Sequence, residues 1–252
     1  VLPMRPTFAY LGEPVMILNI ASFVLASALV VTGLAKRIAL ILVIKWGNNL
    51  SGIFWAFIAL NILFGAFISA TSAKTALLLP LFMVISALYG AFGGALRNNV
   101  GRNLVLQNLL ANNVSASAFI TGSAANLLAA QLLEKAGYKV FYSEWMMALL
   151  PLAIIQCFIA WYTGTKLIFP ISKAEAVPNV EGGMDRLKVA LKELGPMSAD
   201  ELRAALVFLA VLAFWATDSL HGIKAEVIAM CGAILVLMPA FSSCTYRLGG
   251  AS

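Results

Sequence analysis

The sequence predicts an all-α, polytopic membrane protein, and three observations carry that prediction. Hydrophobic residues fill 62% of its 252 positions and charged residues only 11%, whereas a soluble chain needs about a quarter of its residues charged to solvate its surface. A hydrocarbon core about 30 Å thick takes about 20 apolar residues in a helix. Apolar runs recur at Pro14–Ala35, Trp46–Ala73, Thr75–Leu96, Asn103–Leu133, Trp145–Thr165, Ala204–Thr217 and Val227–Tyr246. None of them alternates with period two and turn residues do not recur every ten, which argues against a β-barrel.

The formal net charge of +6 does not point to nucleic acid, because the Lys and Arg residues lie in short connectors between apolar runs, where membrane proteins carry orientation signals. No nucleic-acid partner is expected. Cys157, Cys231 and Cys244 lie far apart, with neither metal-ligand spacing nor a disulfide framework. The chain opens on Val1 without a signal peptide's basic n-region and short apolar core, and Phe241–Ser252 turns polar. Both ends read as cut, and a fragment of a longer protein is expected.

Two runs depart from a simple span. Trp46–Leu96 is apolar throughout except for Ser69-Ala70-Thr71-Ser72-Ala73-Lys74. Two readings stay open there: an ordinary two-span hairpin with its turn at the far surface, or a re-entrant hairpin whose tip stops inside the membrane. Asn103–Leu133 exceeds one span and carries Asn112, Asn113, Ser115, Ser117, Thr121, Gly122, Ser123 and Asn126 near its centre. Glycine inside a helix costs up to about 1 kcal/mol against Ala, so Thr-Gly-Ser predicts a broken helix. Irregular backbone at that depth is tolerated only where protein or a water-filled cavity satisfies it.

Counting crossings with the hairpin entering and leaving on one side places twelve cations on one face and four on the other. With Lys74 at the tip these account for all 17 Lys and Arg, and the rich side is expected to be cytoplasmic. In the loop before residue 203, Leu187, Leu191 and Leu194 share a face, predicting an amphipathic helix on the inner surface. Gly195-Pro196 stops it, and Ser198-Ala-Asp-Glu201 reads as a capping box opening the next span.

No catalytic constellation is legible, so no enzyme is expected. His221 and Asp218 read as a solvated outward connector, and no Asp, Glu or His interrupts the long runs to supply an intramembrane catalyst. The chemistry left is a pair of helix breaks rich in hydroxyls and amides. The chain resumes as a helix after Thr71-Ser72 and again after Thr121-Gly122-Ser123, which predicts two helix N-termini at membrane depth with Ser or Thr at the cap. Such termini attract anions, and the carbonyls ending the preceding helices suit a hard cation such as Na⁺, the roles that discontinuous helices play in secondary transporters. The bland alternative is that the small residues only let helices pack closely. Lys74 also keeps two readings: complement to a substrate carboxylate, or a side chain snorkelling to the far surface.

At these residues the sequence resembles the divalent anion:sodium symporter family, the di- and tricarboxylate and sulfate carriers of the ion transporter superfamily. Thr32-Gly-Leu-Ala-Lys-Arg-Ile-Ala39 is similar to a GL-x-x-RIA segment where a span passes into a surface helix. Phe67–Pro80 is similar to the family's hairpin tip, Thr121–Leu128 to its G-[ST]-x-x-N-L broken helix, and Asp218–Met238 to the start of the second repeat. The family's SNT triplet is absent, replaced by Ala70-Thr71-Ser72 or, in the other register, Ser69-Ala70-Thr71.

The resemblance implies one half of an inverted-repeat transporter. Residues 1–172 would form the first repeat, with the hairpin at about 50–90 and the broken helix at about 103–133. Residues 173–202 would form a cytoplasmic loop, and 203–252 the first spans of a truncated second repeat. It implies substrate contacts among Ser69, Thr71, Ser72, Lys74, Thr121, Ser123 and Asn126, and a sodium site among Ser72, Gly122, Ser123 and Asn126. The implied function is secondary transport of a divalent organic anion, C4-dicarboxylate-like. Na⁺ would be the coupling ion, with no other cofactor, and the multi-pass protein would be a homodimer in the cell membrane, moving by an elevator-like motion. Rival readings are an anion exchanger of the same fold, an arsenite or proton-coupled carrier, and a non-transporting membrane scaffold.

Overall fold

The computed structural model describes residues 12–47, 49–91, 98–177 and 183–238. Among them the chain is helical, with no strand. Parts of the Thr75–Leu96 and Val227–Tyr246 runs, the cations Arg5, Arg97 and Arg247, and Cys244 lie outside the described residues.

Local chemistry sets most helix ends. Helix α1 (Pro14–Val31) starts on a proline, whose fixed φ and missing N–H suit a first turn. It gives way to α2 (Leu34–Trp46) through Gly33 at φ +82°, a left-handed position that glycine adopts without steric cost. The long run after Trp46 is divided earlier than hydropathy suggests, because the Asn49 carboxamide accepts from Gly52 N at 2.7 Å and opens α3 (Leu50–Gly65) as a separate helix. Helix α4 (Thr71–Leu88) follows and touches α3 through Phe57, stacked on Phe82 at 4.1 Å.

The overlong polar run is broken. Helix α5 (Asn99–Ser117) ends, a 3₁₀ turn covers Ile120–Gly122, and α6 (Ala124–Lys135) follows. At its other end α5 is capped twice, by Asn98 Oδ1 on Gly101 N at 2.9 Å and by Glu175 Oε1 on Asn99 N at 3.0 Å. The Asn99 N–H foremost, aided by Ser172 and opposed by burial, holds the Glu175 carboxyl below the usual carboxylate range. Helix α7 (Tyr142–Tyr162) continues as a π-helical stretch, Thr163–Ile168. A Cβ on Gly164 would stand 2.3 Å from Gln107 Nε2 and 2.8 Å from Asn103 Oδ1, so glycine leaves room for these two amides of α5 against the π-helical stretch. Helices α8 (Gly183–Glu193), α9 (Ala199–Ala216), a short α10 (Asp218–His221) and α11 (Ala225–Leu237) complete the described chain.

Helix α5 lies at the centre, with α3, α4 and α7 packed on it; α1 packs along α11, and α9 closes against α11. Pro14–Val31, Thr71–Leu88 and Tyr142–Ile168 are long and apolar enough to cross a membrane, while α3 and α11 are apolar but shorter. Only 11% of the α7 window is buried, so Met147, Leu152, Ile155, Phe158 and Ile159 face outward. A helix bare on its apolar face is what lipid requires and what water forbids.

The loop before α9 is fastened by one guanidinium. Ser198 and Glu201 form the expected capping box, and Glu201 Oε1 also accepts from Arg37 Nε at 2.9 Å. The remaining Arg37 donors reach the carbonyls of Gly195 at 2.9 Å, Leu194 at 3.2 Å and Pro196 at 3.3 Å. Arg37 thus caps the end of α8 and ties it to α2, with Leu187 buried beneath. Removing one partner of such a pair strands a buried charge, costing about 3–5 kcal/mol. Arg37→Ala is therefore expected to lower the unfolding temperature of the full-length protein in detergent by several degrees, measured by a thermal-shift assay, whereas exposed Lys36→Ala leaves it unchanged.

Candidate functional site

The two interruptions meet. Helix α3 ends on Gly65, where an added Cβ would stand 3.0 Å from the backbone carbonyl Ser115 O, so α3 and α5 approach backbone to backbone. The next carbonyl, Ala66 O, accepts from Thr121 Oγ1 at 2.6 Å, and Thr121 Oγ1 lies 2.9 Å from the Tyr142 hydroxyl. Residues 66–70 form the tip. Phe67 is buried there, edge-on to Phe208 at 4.6 Å and stacked near Trp215 at 6.2 Å. A fully buried aromatic cluster thus seats the tip on α9.

Beyond the tip, α4 begins at Thr71. The sequence expects a Ser or Thr cap, but the cap residue is Ala70, with extended backbone and no capping side chain. Alanine has no acceptor to offer, and the Ala70 carbonyl takes the first helical bond, from Lys74 N at 3.2 Å. The N–H groups of the first turn are consequently left without the side-chain acceptor that most helices supply. Thr71 is half-buried and Ser72 exposed. Lys74 is 0% exposed and its Nζ donates to Asn112 O at 3.2 Å, so it does not snorkel to a surface. Among the described residues no carboxylate pairs with it. A buried ammonium and a bare helix N-terminus both favour an anion there.

At the break, Ser123 is the cap, as its position suggests: its Oγ accepts from Ala125 N at 3.1 Å. Asn126 Nδ2 donates to both Ala116 O and Phe119 O at 2.8 Å, and Trp145 Nε1 donates to Ser117 O at 3.0 Å. Carbonyls that could have coordinated a hard cation thus accept from protein donors. A Cβ on Gly122 would stand 2.1 Å from Ala116 O, so the turn closes only around glycine.

The candidate residues are distributed unevenly. Thr71, Ser72 and Lys74 share one turn of α4, joined to α5 by Asn112 Nδ2, which donates to Thr71 O at 2.9 Å and Thr75 Oγ1 at 2.8 Å. Thr121, Gly122, Ser123 and Asn126 build the break. No hydrogen bond links Thr71–Ser72 to Ser123–Asn126 among the described residues; the connection runs through Ala66 and Thr121. Thr121 is fully buried, its hydroxyl committed to Ala66 and Tyr142. Ser69 Oγ and Asn112 Oδ1 are buried without a partner. Three contributors escaped sequence reading: Tyr142, Asn112 as a bridge to the tip, and Asp218. Asp218, expected in a solvated connector, is buried, and its carboxylate caps α7. His221 beside it is exposed.

The family described as the sodium:sulfate symporter transmembrane region matches residues 7–243. A membrane protein of Cupriavidus necator is 29% identical over 87% of the chain and 42% of its own length. The citrate/succinate antiporter of Escherichia coli is 26% identical over 86% of the chain and 44% of its own length. Dicarboxylate transporter 2, chloroplastic, of Spinacia oleracea is 27% identical over 94% of the chain and 42% of its own length. The chain therefore spans less than half the length of these relatives.

Two substitutions test the built break. Asn126→Ala orphans Ala116 O, at about 1–3 kcal/mol for a buried carbonyl, and leaves Phe119 O with the Gly122 N–H alone, while Gly122→Ala forces Ala116 away. Both are expected to reduce the thermal stability of the inserted full-length protein, while Asn113→Ala, on the exposed side of α5, does not. Unchanged stability in Asn126→Ala would remove that side chain from the closure of the break.

Proposed function

The chain belongs to the sodium:sulfate symporter transmembrane-region family, and from that premise we propose that the full-length protein is a secondary carrier of divalent organic anions, C4-dicarboxylates most simply. The observation that carries this reading is the N-terminus of α4: no side chain caps it, Ser72 is exposed beside it, and the Lys74 ammonium is buried behind it. Unsatisfied N–H groups and a cation at one point attract a carboxylate without an exposed full charge. The Escherichia coli relative, a citrate/succinate antiporter, and the Spinacia oleracea relative, a dicarboxylate transporter, support a di- or tricarboxylate as the cargo.

In this proposal Thr71 and Ser72 hold a substrate carboxylate, Ser69 contributes from the same tip, Ser123 contributes from the break as the resemblance implies, and Thr121 and Asn126 hold the backbone that presents the site. Na⁺ enters as the coupling ion through the resemblance, at Ser72, Gly122, Ser123 and Asn126. The carrier sits in the cell membrane as a homodimer with residues 173–202 in the cytoplasm. A second reading, exchange of one dicarboxylate for another without Na⁺, is favoured by Lys74: a resident cation at the tip supplies the charge that a bound sodium would supply.

Uptake of labelled succinate into proteoliposomes containing the full-length protein tests both. Ser72→Ala is expected to lower uptake about tenfold or more, the worth of one hydrogen bond to a charged group, with thermal stability unchanged; lost stability at full specific activity would instead indicate a packing role. Replacing Na⁺ by choline abolishes uptake under symport. Under exchange, uptake survives choline, requires internal dicarboxylate, and is lost in Lys74→Gln.

A further inference from the structure

The position of the tip is set from outside it, through a hydrogen-bond chain with one possible direction. Ala66 O can only accept, so the Thr121 proton goes to Ala66 and the Tyr142 proton must go to Thr121. Tyr142 opens α7, and its own N–H donates to Asp218 Oδ2 at 2.6 Å. Asp218 Oδ1 takes the Ser143 N–H at 3.1 Å and the Ser143 hydroxyl at 2.5 Å. Thr121, Tyr142, Ser143 and Asp218 are each no more than 3% exposed, so the hydrogen-bond chain lies away from the protein surface. The Tyr142 ring is stacked on Trp215 at 4.5 Å, and the Trp215 indole is held by Ala225 O at 3.1 Å. Among the described residues Asp218 has no cation partner; the N–H groups and dipole of α7 stabilise its charge.

We infer that Asp218 and Tyr142 are positioning residues for the hairpin tip: neither touches a solute, and together they fix Ala66 and hence the loop that presents the α4 N-terminus. The inference rests on the tip being the anion site of the proposed carrier, but its geometry can be read without transport. The substitutions separate the links. Tyr142→Phe keeps the stack on Trp215 and loses only the donor to Thr121. Thr121→Val cuts the bond to Ala66, and Thr121→Ser keeps it. Asp218→Asn turns one acceptor into a donor facing the donors of α7.

The experiment uses the full-length protein with its native cysteines, Cys157, Cys231 and Cys244 among them, replaced by Ser and a single cysteine introduced as Ser69→Cys, in the buried part of the tip, and measures its labelling by a membrane-permeant maleimide in proteoliposomes. Losing one hydrogen bond of ordinary worth shifts a local opening about fivefold. Labelling is therefore expected to quicken about fivefold in Tyr142→Phe, Thr121→Val and Asp218→Asn and to return in Thr121→Ser, while a control cysteine at Ser51 on α3 labels at an unchanged rate. Made with Ser69 intact, the same substitutions raise the succinate KM and leave the maximal rate near that of the parent. Unchanged labelling at Ser69→Cys in Tyr142→Phe and Thr121→Val overturns the inference, whatever their thermal stability. A parent protein that takes up no succinate overturns the carrier reading instead and leaves the labelling result standing.

Discussion

The structure depends on finding partners for the amides of α5. Asn99, Asn103, Gln107, Asn108 and Asn112 lie along a helix that packs among apolar neighbours, and an amide placed in hydrocarbon without a partner costs several kcal/mol. The partners come from other elements. Gln107 Nε2 reaches Ala160 O at 2.7 Å, Asn103 Nδ2 reaches Phe169 O at 2.8 Å, and Asn108 Oδ1 receives Asn61 Nδ2 at 2.9 Å. The π-helical end of α7, the first arm of the hairpin and, through Asn112, the start of α4 are each drawn to α5 by a separate amide. The broken helix is thus the beam from which the hairpin and α7 hang.

That arrangement explains why the tip can leave its helix N-terminus bare. Ala66 is held by Thr121, Phe67 by the ring cluster of α9, and Thr71 by Asn112, so the tip needs no local cap to keep its shape. The break spends its polar atoms differently: Asn126 and Trp145 satisfy the carbonyls ending α5, and Ser123 caps α6. The positive potential of the site is therefore concentrated at the tip, where the α4 N-terminus and Lys74 add, while the break serves mainly as the frame. In the proposed carrier this asymmetry would make the tip the point where an anionic solute first engages.

What was legible in the sequence was what neighbouring residues decide. Ser198 and Glu201 meet three residues apart, Thr-Gly-Ser interrupts a helix where it stands, and Leu187 with Leu191 marks an amphipathic helix that ends before Leu194, so each could be read in place. The unreadable features join distant positions. Arg37 meets Glu201 across 164 residues and Tyr142 meets Asp218 across 76, and no spacing rule connects either pair. Asp218 beside an exposed His221 looks like a solvated acid until the N-terminus of α7 is placed over it. The Ala70 cap failed for another reason: rules of helix capping predict which residue caps best, and here the residue before Thr71 has no side-chain acceptor to offer.

The central claim is that the bare N-terminus of α4 lies within the membrane and receives a carboxylate. Its most direct test is the structure of the full-length protein in a lipid nanodisc with saturating succinate. The account predicts the Thr71–Ser72 turn below the headgroups with a carboxylate within hydrogen-bond distance of its N–H groups. A tip lying at the headgroup level, with succinate bound elsewhere or not at all, would contradict it.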